Sequence, residues 1–124
     1  MTPAALVAAL LEAVGRRPPR VTTEMELHDY LEPILRTLGR VSREYTFGPS
    51  ERVDFLVDGA GWRLAVEVKV KGSASAVERQ LSRYARQSGV TGVVLVTTRS
   101  THIMPPDIEG VPVAVACLAS FRGF

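Results

Sequence analysis

Three ionisable side chains, Asp54, Glu67 and Lys69, fall in two neighbouring segments that are otherwise rich in apolar residues. These segments, 52–57 and 62–70, alternate with a period of two, which predicts β-strands whose successive side chains point to opposite faces of a sheet. Glu67 and Lys69 should therefore share one face of their strand. The residues expected with them are Arg63, Ala65 and Lys71, and those expected opposite are Trp62, Leu64, Val66, Val68 and Val70.

The segment from Asp58 to Gly61 predicts a turn that joins the two strands into a hairpin. A loop of two residues, Gly59 and Ala60, would pair Asp54 with Ala65 and leave Glu67 diagonal to Asp54, whereas a loop of four would pair Asp54 directly with Glu67. Either even-length loop puts Asp54, Glu67 and Lys69 on one face. The residues expected on the other face of the first strand are Val53, Phe55 and Val57.

Two carboxylates that face each other across a ladder repel, at a cost of about 1 kcal/mol or less where they are exposed and more where they are buried. A divalent cation would offset this repulsion, and Mg²⁺ is commonly held by one or two carboxylates, water and substrate phosphates. Lys69 could then orient or help to activate the attacking water and stabilise negative charge on the phosphate. These residues predict metal-assisted phosphodiester hydrolysis.

The string Asp54, then Glu67-Val68-Lys69, resembles the motif of the PD-(D/E)XK nucleases, with Val53 where the motif name has proline. The resemblance covers roughly residues 22–118. It implies that Asp54 and Glu67 bind Mg²⁺ or Mn²⁺ together with the carbonyl of Val68, and that Lys69 acts at the water.

Gln80 and Tyr84 lie in the next helical segment and resemble the Gln-x-x-x-Tyr signature of the subgroup that includes RecB-type nuclease domains. The resemblance implies that the two residues support the substrate or the geometry of the active site. Tyr84 also fits an apolar stripe with Val77 and Leu81, so ordinary core packing is the alternative interpretation.

Changes in hydrophobic period predict an α/β fold, and the resemblance implies that its core is restriction-endonuclease-like. A mixed central sheet, made of a three-strand meander and two further strands, should be flanked by helices, with an extra helix at the N-terminus. We expect a single nuclease-like domain over residues 1–124, with the N-terminal helix and connector in 1–21 and the core in 22–118. The predicted strands are 41–47, 52–57, 62–70, 92–96 and 111–118, and residues 102–109 are predicted to form a loop.

The helix that opens the core should begin at Thr23, because Thr23 and Glu26 have the spacing of a capping box. Pro33 inside it predicts a kink or a shifted start.

Related nucleases often take a further acidic residue from this helix, and Glu24 is preferred to Glu26 as a catalytic candidate because it shares a face with Leu27 and Leu31. The two histidines, His28 and His102, are expected on the helix surface and in a loop.

Basic residues provide candidate contacts to nucleic acid. The net charge is only +2, but the sequence pI is about 9.0 and arginines recur in clusters. Arg79, Arg83 and Arg86 share one face of the predicted helix and could follow phosphates, although a solvated face is the alternative. The predicted nucleic-acid-binding residues are Lys71, Arg79, Arg83 and Tyr84.

Composition excludes several other classes of protein. The single cysteine, Cys117, lies in an apolar run and is expected to be a small buried residue, so a structural zinc or iron–sulfur site is not expected. The first apolar stretch has no basic region ahead of it and contains Glu12, which argues against a signal peptide or membrane anchor. We expect a cytoplasmic protein without a membrane partner.

The leading hypothesis is a Mg²⁺- or Mn²⁺-dependent deoxyribonuclease acting on duplex, single-stranded or branched DNA, with RNA as an open alternative. A second hypothesis is a nuclease-like fold with weak or no catalysis that binds DNA or a partner protein. A third is a homodimer or a subunit of a larger nuclease complex whose substrate choice resides in another chain.

Overall fold

Three helices pack on one six-stranded mixed sheet in the computed structural model, which describes residues 1–119. The α/β class, with a mixed sheet flanked by helices, agrees with the class expected from the sequence. A helix, a three-strand meander, a helix and parallel strands follow in the order of a restriction-endonuclease-like core. Among the residues described, no helix has both the length and the apolar character needed to span a membrane. The elements are α1 (Pro3–Arg16), α2 (Glu24–Arg36), β1 (Arg40–Gly48), β2 (Glu51–Gly59), β3 (Trp62–Lys69), α3 (Ala74–Ala85), β4 (Gly92–Thr97), β5 (Asp107–Ile108) and β6 (Val111–Cys117).

The strands lie in the order β1-β2-β3-β4-β6-β5. Strands β1, β2 and β3 are antiparallel neighbours, whereas β3, β4 and β6 run parallel, with α3 as the crossover between β3 and β4. Because β3 and β4 run in the same direction, their carboxyl ends meet at one edge of the sheet, where Lys69 pairs with Thr97. The charged end of β3 therefore lies at this edge.

Helices α1 and α2 cover one face of the sheet. Thr2 caps α1 by accepting a hydrogen bond from the N–H of Ala5, and Thr23 with Glu26 forms the predicted capping box of α2. Each leucine that these helices bury fully contributes about 1.5–3 kcal/mol. The core on this face includes Leu6, Leu10, Val14, Leu27, Leu31 and Leu35 from the helices, with Phe55, Val57, Leu64, Val66 and Val68 from the sheet.

Helix α3 covers the other face. Ser73 caps it by accepting a hydrogen bond from the N–H of Ala76. Its apolar stripe, at i, i+4 and i+7 spacing, packs on the sheet residues that alternate with those under α1 and α2. The core on this face includes Val77, Leu81 and Tyr84 from the helix, with Leu56, Ala65, Val93 and Leu95 from the sheet.

Two regions near the C-terminal strand differ from the sequence prediction. Residues 107–108, which were expected in a loop, form β5, and a turn through Glu109 and Gly110 joins β5 to β6. A strand of two residues is too short for an alternating pattern to reveal it. Cys117, expected to be buried, is only half-buried, because β5 pairs with the start of β6 and leaves the rest of that strand at the sheet edge.

Pro33 lies inside α2 at an exposed position. The helix begins at Glu24, so the shifted start that the sequence allowed is not found. An exposed proline can be accommodated here because water can bond the carbonyl left without its helical partner.

The loop of the β2–β3 hairpin consists of Ala60 and Gly61, with Gly59 paired to Trp62. The loop thus has two residues, but it lies one position later than the predicted two-residue loop of Gly59 and Ala60. Gly61 has a positive φ of 78°, as turns of this kind require. Phe55 pairs with Val66, and the same register places the next residues, Asp54 and Glu67, opposite each other. The sequence analysis predicts this direct pairing only for a loop of four residues.

Close packing against Trp62 leaves no room for a side chain at Gly59. A Cβ atom at Gly59 would lie 2.1 Å from Cε2 of Trp62. Gly59→Ala should therefore lower the free energy of unfolding by about 1–3 kcal/mol, because the indole must shift. Urea denaturation followed by circular dichroism measures this change. Gly48→Ala is the matched control, since a Cβ there meets nothing within 4 Å, and an equal loss in both variants would contradict the packing argument.

Candidate active site at the fork between β2 and β3

The ladder between β2 and β3 ends at the pair Phe55 and Val66. Strand β3 stays paired with β4 as far as Lys69, so beyond Val66 it is β2 that leaves the ladder. Asp54 and Glu67 are the first residues past the last pair. This opening, formed by Asp54 and residues 67–69, is called the fork below.

Each carboxylate in the fork accepts a hydrogen bond from the backbone of the opposite strand. The N–H of Asp54 donates to Oε1 of Glu67 at 3.1 Å, and the N–H of Val68 donates to Oδ2 of Asp54 at 2.8 Å. These bonds take the place of ladder bonds that end at the fork, and buried N–H groups require such partners. The reciprocal pair fixes both carboxylates against the backbone.

Strand β2 changes faces at the fork. Phe55 belongs to the core under α1 and α2, whereas Val53 belongs to the core under α3. The expectation that Val53 shares a face with Phe55 and Val57 is therefore wrong. Asp54 lies between Val53 and Phe55, where β2 changes faces, so its side chain lies between the two helical layers.

Strand β1 changes faces at the same level. Arg43 donates to Asp29 and Glu32 of α2 at 2.7 and 3.1 Å, whereas Tyr45 packs into the core under α3. The residue between them, Glu44, stands opposite Asp54 and has a φ of 52°. A left-handed residue interrupts the regular pleat, which explains why strict alternation failed here.

His28, expected on the helix surface, is 6% exposed. Its Nε2 lies 3.5 Å from Oδ2 of Asp54, and its ring packs edge-on against Phe55 at 5.6 Å. Neither ring nitrogen has a hydrogen-bond partner among the described residues. A buried imidazole normally has partners, so His28 belongs to the site. The signal was present in the sequence, because His28, Leu31 and Leu35 form an i, i+3, i+7 stripe.

Glu67 is 3% exposed. Burial, and secondly the negative charge of Asp54, raise the pKa of the Glu67 carboxyl to about 8, against the opposing effects of the Asp54 N–H and the charge of Lys69. The Nζ of Lys69 lies 3.5 Å from Oε2 of Glu67. The structure thus brings together Asp54, Glu67 and Lys69, and a cation would favour the ionised form of both carboxylates.

Tyr84 and Gln80 brace the strand that carries Asp54. The hydroxyl of Tyr84 donates to the carbonyl of Arg52 at 2.7 Å and accepts from Nε2 of Gln80 at 2.8 Å. Burial, followed by the charge of Glu67, raises the pKa of this hydroxyl, which keeps its proton in place. Because Tyr84 is 1% exposed, it does not present a nucleic-acid contact surface, and the structure favours its other predicted role in supporting the geometry.

The two acidic candidates at the start of α2 have different surroundings. Oε1 of Glu26 accepts from the N–H groups of Thr22 and Thr23, and these bonds lower the pKa of its carboxyl. Glu26 is therefore the capping-box partner of Thr23, as predicted. Glu24 is partly buried one turn before His28 on the same face of α2, so its catalytic role stays a prediction.

The arginine face of α3 lies among acidic groups. Arg83 pairs with Glu51 at 3.1 Å and Arg86 pairs with Glu109 at 3.3 Å. Arg79 lines a groove of about 450 Å³ together with Glu78, Asp107 and Glu109. These acids repel phosphates, which weakens the case for nucleic-acid contact by Arg79 and Arg83. Lys71 is exposed just beyond β3.

The donor set fits a hard divalent cation. Asp54 and Glu67 offer carboxylate oxygens, and the unpartnered Nε2 of His28 lies beside them. Within residues 1–119, no three His, Cys, Asp or Glu side chains are assembled closely enough to hold a cation by themselves. Water, the Val68 carbonyl and a substrate phosphate would have to complete the shell, which is usual for Mg²⁺.

Comparison with known proteins gives little further information. No family model matches the sequence, and no curated protein matches it. Among solved structures, the chain is similar to the small subunit (R.BspD6I2) of the heterodimeric restriction endonuclease R.BspD6I. The two share 14% sequence identity at a TM-score of 0.48, over 93% of this chain and 72% of that chain. At these values the similarity carries no argument, so the assignments rest on the geometry itself.

The raised pKa of Glu67 predicts a pH-dependent stability in EDTA. Between the ordinary value of 4.5 and about 8, the folded protein binds more protons than the unfolded chain. The free energy of unfolding should therefore fall as pH rises through this range, by at most about 1.4 kcal/mol per pH unit, and level off above it.

Urea denaturation at several pH values tests this linkage. Glu67→Gln should remove this component of the pH dependence, because glutamine imitates the protonated carboxyl. Glu12→Gln, at an exposed surface ion pair, should keep it. Parallel pH profiles for wild type and Glu67→Gln would contradict the assignment.

Proposed function

We propose that this protein is a metal-dependent nuclease of the PD-(D/E)XK type that hydrolyses DNA phosphodiester bonds. The observation that carries the proposal is the fork, where two carboxylates are fixed by reciprocal backbone bonds beside a lysine and an unpartnered buried imidazole. A buried like-charged pair is costly unless a cation or proton offsets it. The arrangement is more readily explained by metal binding than by stability.

In this proposal Asp54, Glu67 and the Val68 carbonyl would hold Mg²⁺ or Mn²⁺, and the His28 imidazole, 3.5 Å from Asp54, is a further candidate ligand. The bound ion supplies Lewis-acid stabilisation of the phosphate and lowers the pKa of water. Lys69 orients the attacking water and stabilises charge on the phosphate oxygens, because its ammonium lies at the open side of Glu67. Gln80 and Tyr84 keep β2 in position through the Arg52 carbonyl.

Substitutions at the fork should abolish metal-dependent cleavage. Asp54→Asn and Lys69→Met should each lower the rate about 100-fold or more, since the first removes a charge that holds the cation and the second removes a positive charge beside the reacting phosphate. The assay measures cleavage of labelled duplex, single-stranded and branched DNA in Mg²⁺ or Mn²⁺, with an RNA strand in parallel.

The surface variant Glu12→Gln is the matched carboxyl-to-amide control and should cleave at the wild-type rate. Cleavage that survives both Asp54→Asn and Lys69→Met would rule out the proposed site. Wild-type protein that binds DNA but neither binds metal nor cleaves would favour the binding-module hypothesis.

His28 should affect Mn²⁺ more than Mg²⁺, because Mg²⁺ dehydrates reluctantly and usually keeps water in place of a further protein ligand. His28→Leu retains the volume packed on Phe55 but removes the nitrogen beside Asp54. Calorimetric titration should show Mn²⁺ affinity reduced about 10-fold or more, and Mg²⁺ affinity reduced less.

Leu31→Met is a control for altered packing on the same helix face, and it should leave both metal affinities unchanged. Equal Mn²⁺ affinity in wild type and His28→Leu would exclude His28 as a ligand and leave it as a core residue.

A further inference from the structure

The loops that follow β3 and β4 are bonded to each other beside the fork. The N–H of Thr98 donates to the carbonyl of Lys69 at 3.3 Å. Further along, Nε2 of His102 donates to the carbonyl of Gly72 at 2.7 Å, and its Nδ1 accepts from the hydroxyl of Thr97 at 2.6 Å. One histidine thus connects both loops to the end of β4.

His102 is 2% exposed, and its loop position agrees with the sequence prediction, although its burial was not expected. The Thr97 hydroxyl accepts a hydrogen bond from the N–H of Arg99 at 3.0 Å. This bond uses a lone pair of the oxygen and leaves the hydroxyl proton free to donate to His102. The N–H of His102 in turn donates to the carbonyl of Arg99 at 3.1 Å. With both ring nitrogens bonded, His102 ties the loop after β4 to Thr97 and to Gly72.

The surface of these two loops is basic. Lys71 and Arg99 are exposed, and neither makes an ion pair with a described residue. Segments 70–77 and 97–106 contain no aspartate or glutamate, but they contain several hydroxyl side chains. This differs from α3, where Arg83 and Arg86 are paired with acids.

We propose that residues 71–73 and 98–101 form a phosphate-binding ledge, held together by His102, that contacts the nucleic-acid backbone next to the scissile phosphate. Lys71 and Arg99 supply the charge, and the hydroxyls of Ser73, Ser100 and Thr101 are available as donors. The ledge continues from Lys69 at the same sheet edge. The nucleic-acid substrate of the ledge rests on the proposed function. Contacts to the phosphate backbone do not distinguish base sequences, so the ledge predicts cleavage with little base preference.

Salt dependence of binding tests the ledge, because each phosphate neutralised contributes about 0.9 to the slope of log K against log [NaCl] on duplex DNA. Anisotropy of a labelled DNA duplex is measured in EDTA, which prevents metal-dependent cleavage. Arg99→Gln and Lys71→Gln should each weaken binding about 3- to 10-fold at 50 mM NaCl and lower the slope by about 1.

Arg40→Gln is the matched control. Arg40 is exposed and stands opposite Asp58 at one end of the β1–β2 ladder, whereas Asp54 of the fork lies in the middle of that ladder, so affinity and slope should not change. Wild-type slopes in Arg99→Gln and Lys71→Gln, or an equal loss in Arg40→Gln, would overturn the ledge.

His102 is tested by rescue. His102→Ala should weaken binding as much as Arg99→Gln and Lys71→Gln combined, whereas His102→Gln, whose amide can donate to Gly72 and accept from Thr97, should restore most of the affinity. Equal binding by both variants would remove His102 from the proposal as a positioning residue.

Failure of the ledge and failure of the nuclease proposal give different results. Cleavage by wild type together with unaltered binding in Arg99→Gln and Lys71→Gln would exclude the ledge alone. Salt-dependent binding that both variants weaken, without any metal-dependent cleavage, would support the ledge and exclude the nuclease.

Discussion

The reciprocal hydrogen bonds between β2 and β3 are the interaction on which the site depends. A carboxylate that accepts from the backbone of the opposite strand can end a ladder without leaving N–H groups unsatisfied. The same bonds fix the separation and direction of Asp54 and Glu67. Strand separation and carboxylate placement are therefore one structural feature, and neither residue can be replaced without affecting both.

The remaining elements maintain this feature from three directions. Parallel pairing with β4 keeps β3 in the sheet where β2 leaves it. Tyr84 bonds the carbonyl of Arg52 and so holds the departing strand. On the opposite side, α2 places His28 against Phe55 and Asp54. Each helical layer thus contributes one buried side chain with a polar group to the fork.

Much of this arrangement was predictable from sequence because it depends on local periodicity. The capping box of Thr23 and Glu26, the three-strand meander and the α3 stripe all follow from spacing of two or 3.6 residues. The pairing of Asp54 with Glu67 was one of two registers that the hairpin allowed. The register that forms places Gly59 against Trp62 with no room for a Cβ atom, and such packing is a tertiary property.

Other features could not be predicted because they break periodicity. The left-handed Glu44 and the change of faces at Asp54 reverse an alternation that the sequence pattern presents as continuous. His28 could have been recognised from its apolar stripe, but a histidine on such a stripe gives no indication of whether it has a polar partner. The bond of His102 to Gly72 joins segments that are 30 residues apart, so no local pattern indicates it.

The unpartnered ring of His28 has a consequence for how this protein can change by mutation. A buried imidazole without hydrogen bonds lowers the stability of the metal-free fold relative to an apolar side chain of similar volume. Selection for thermal stability alone would therefore favour leucine or methionine at position 28. Either residue would remove the imidazole from beside Asp54. Under the proposed function, a homologue with a hydrophobic residue there would bind the metal more weakly than this protein does.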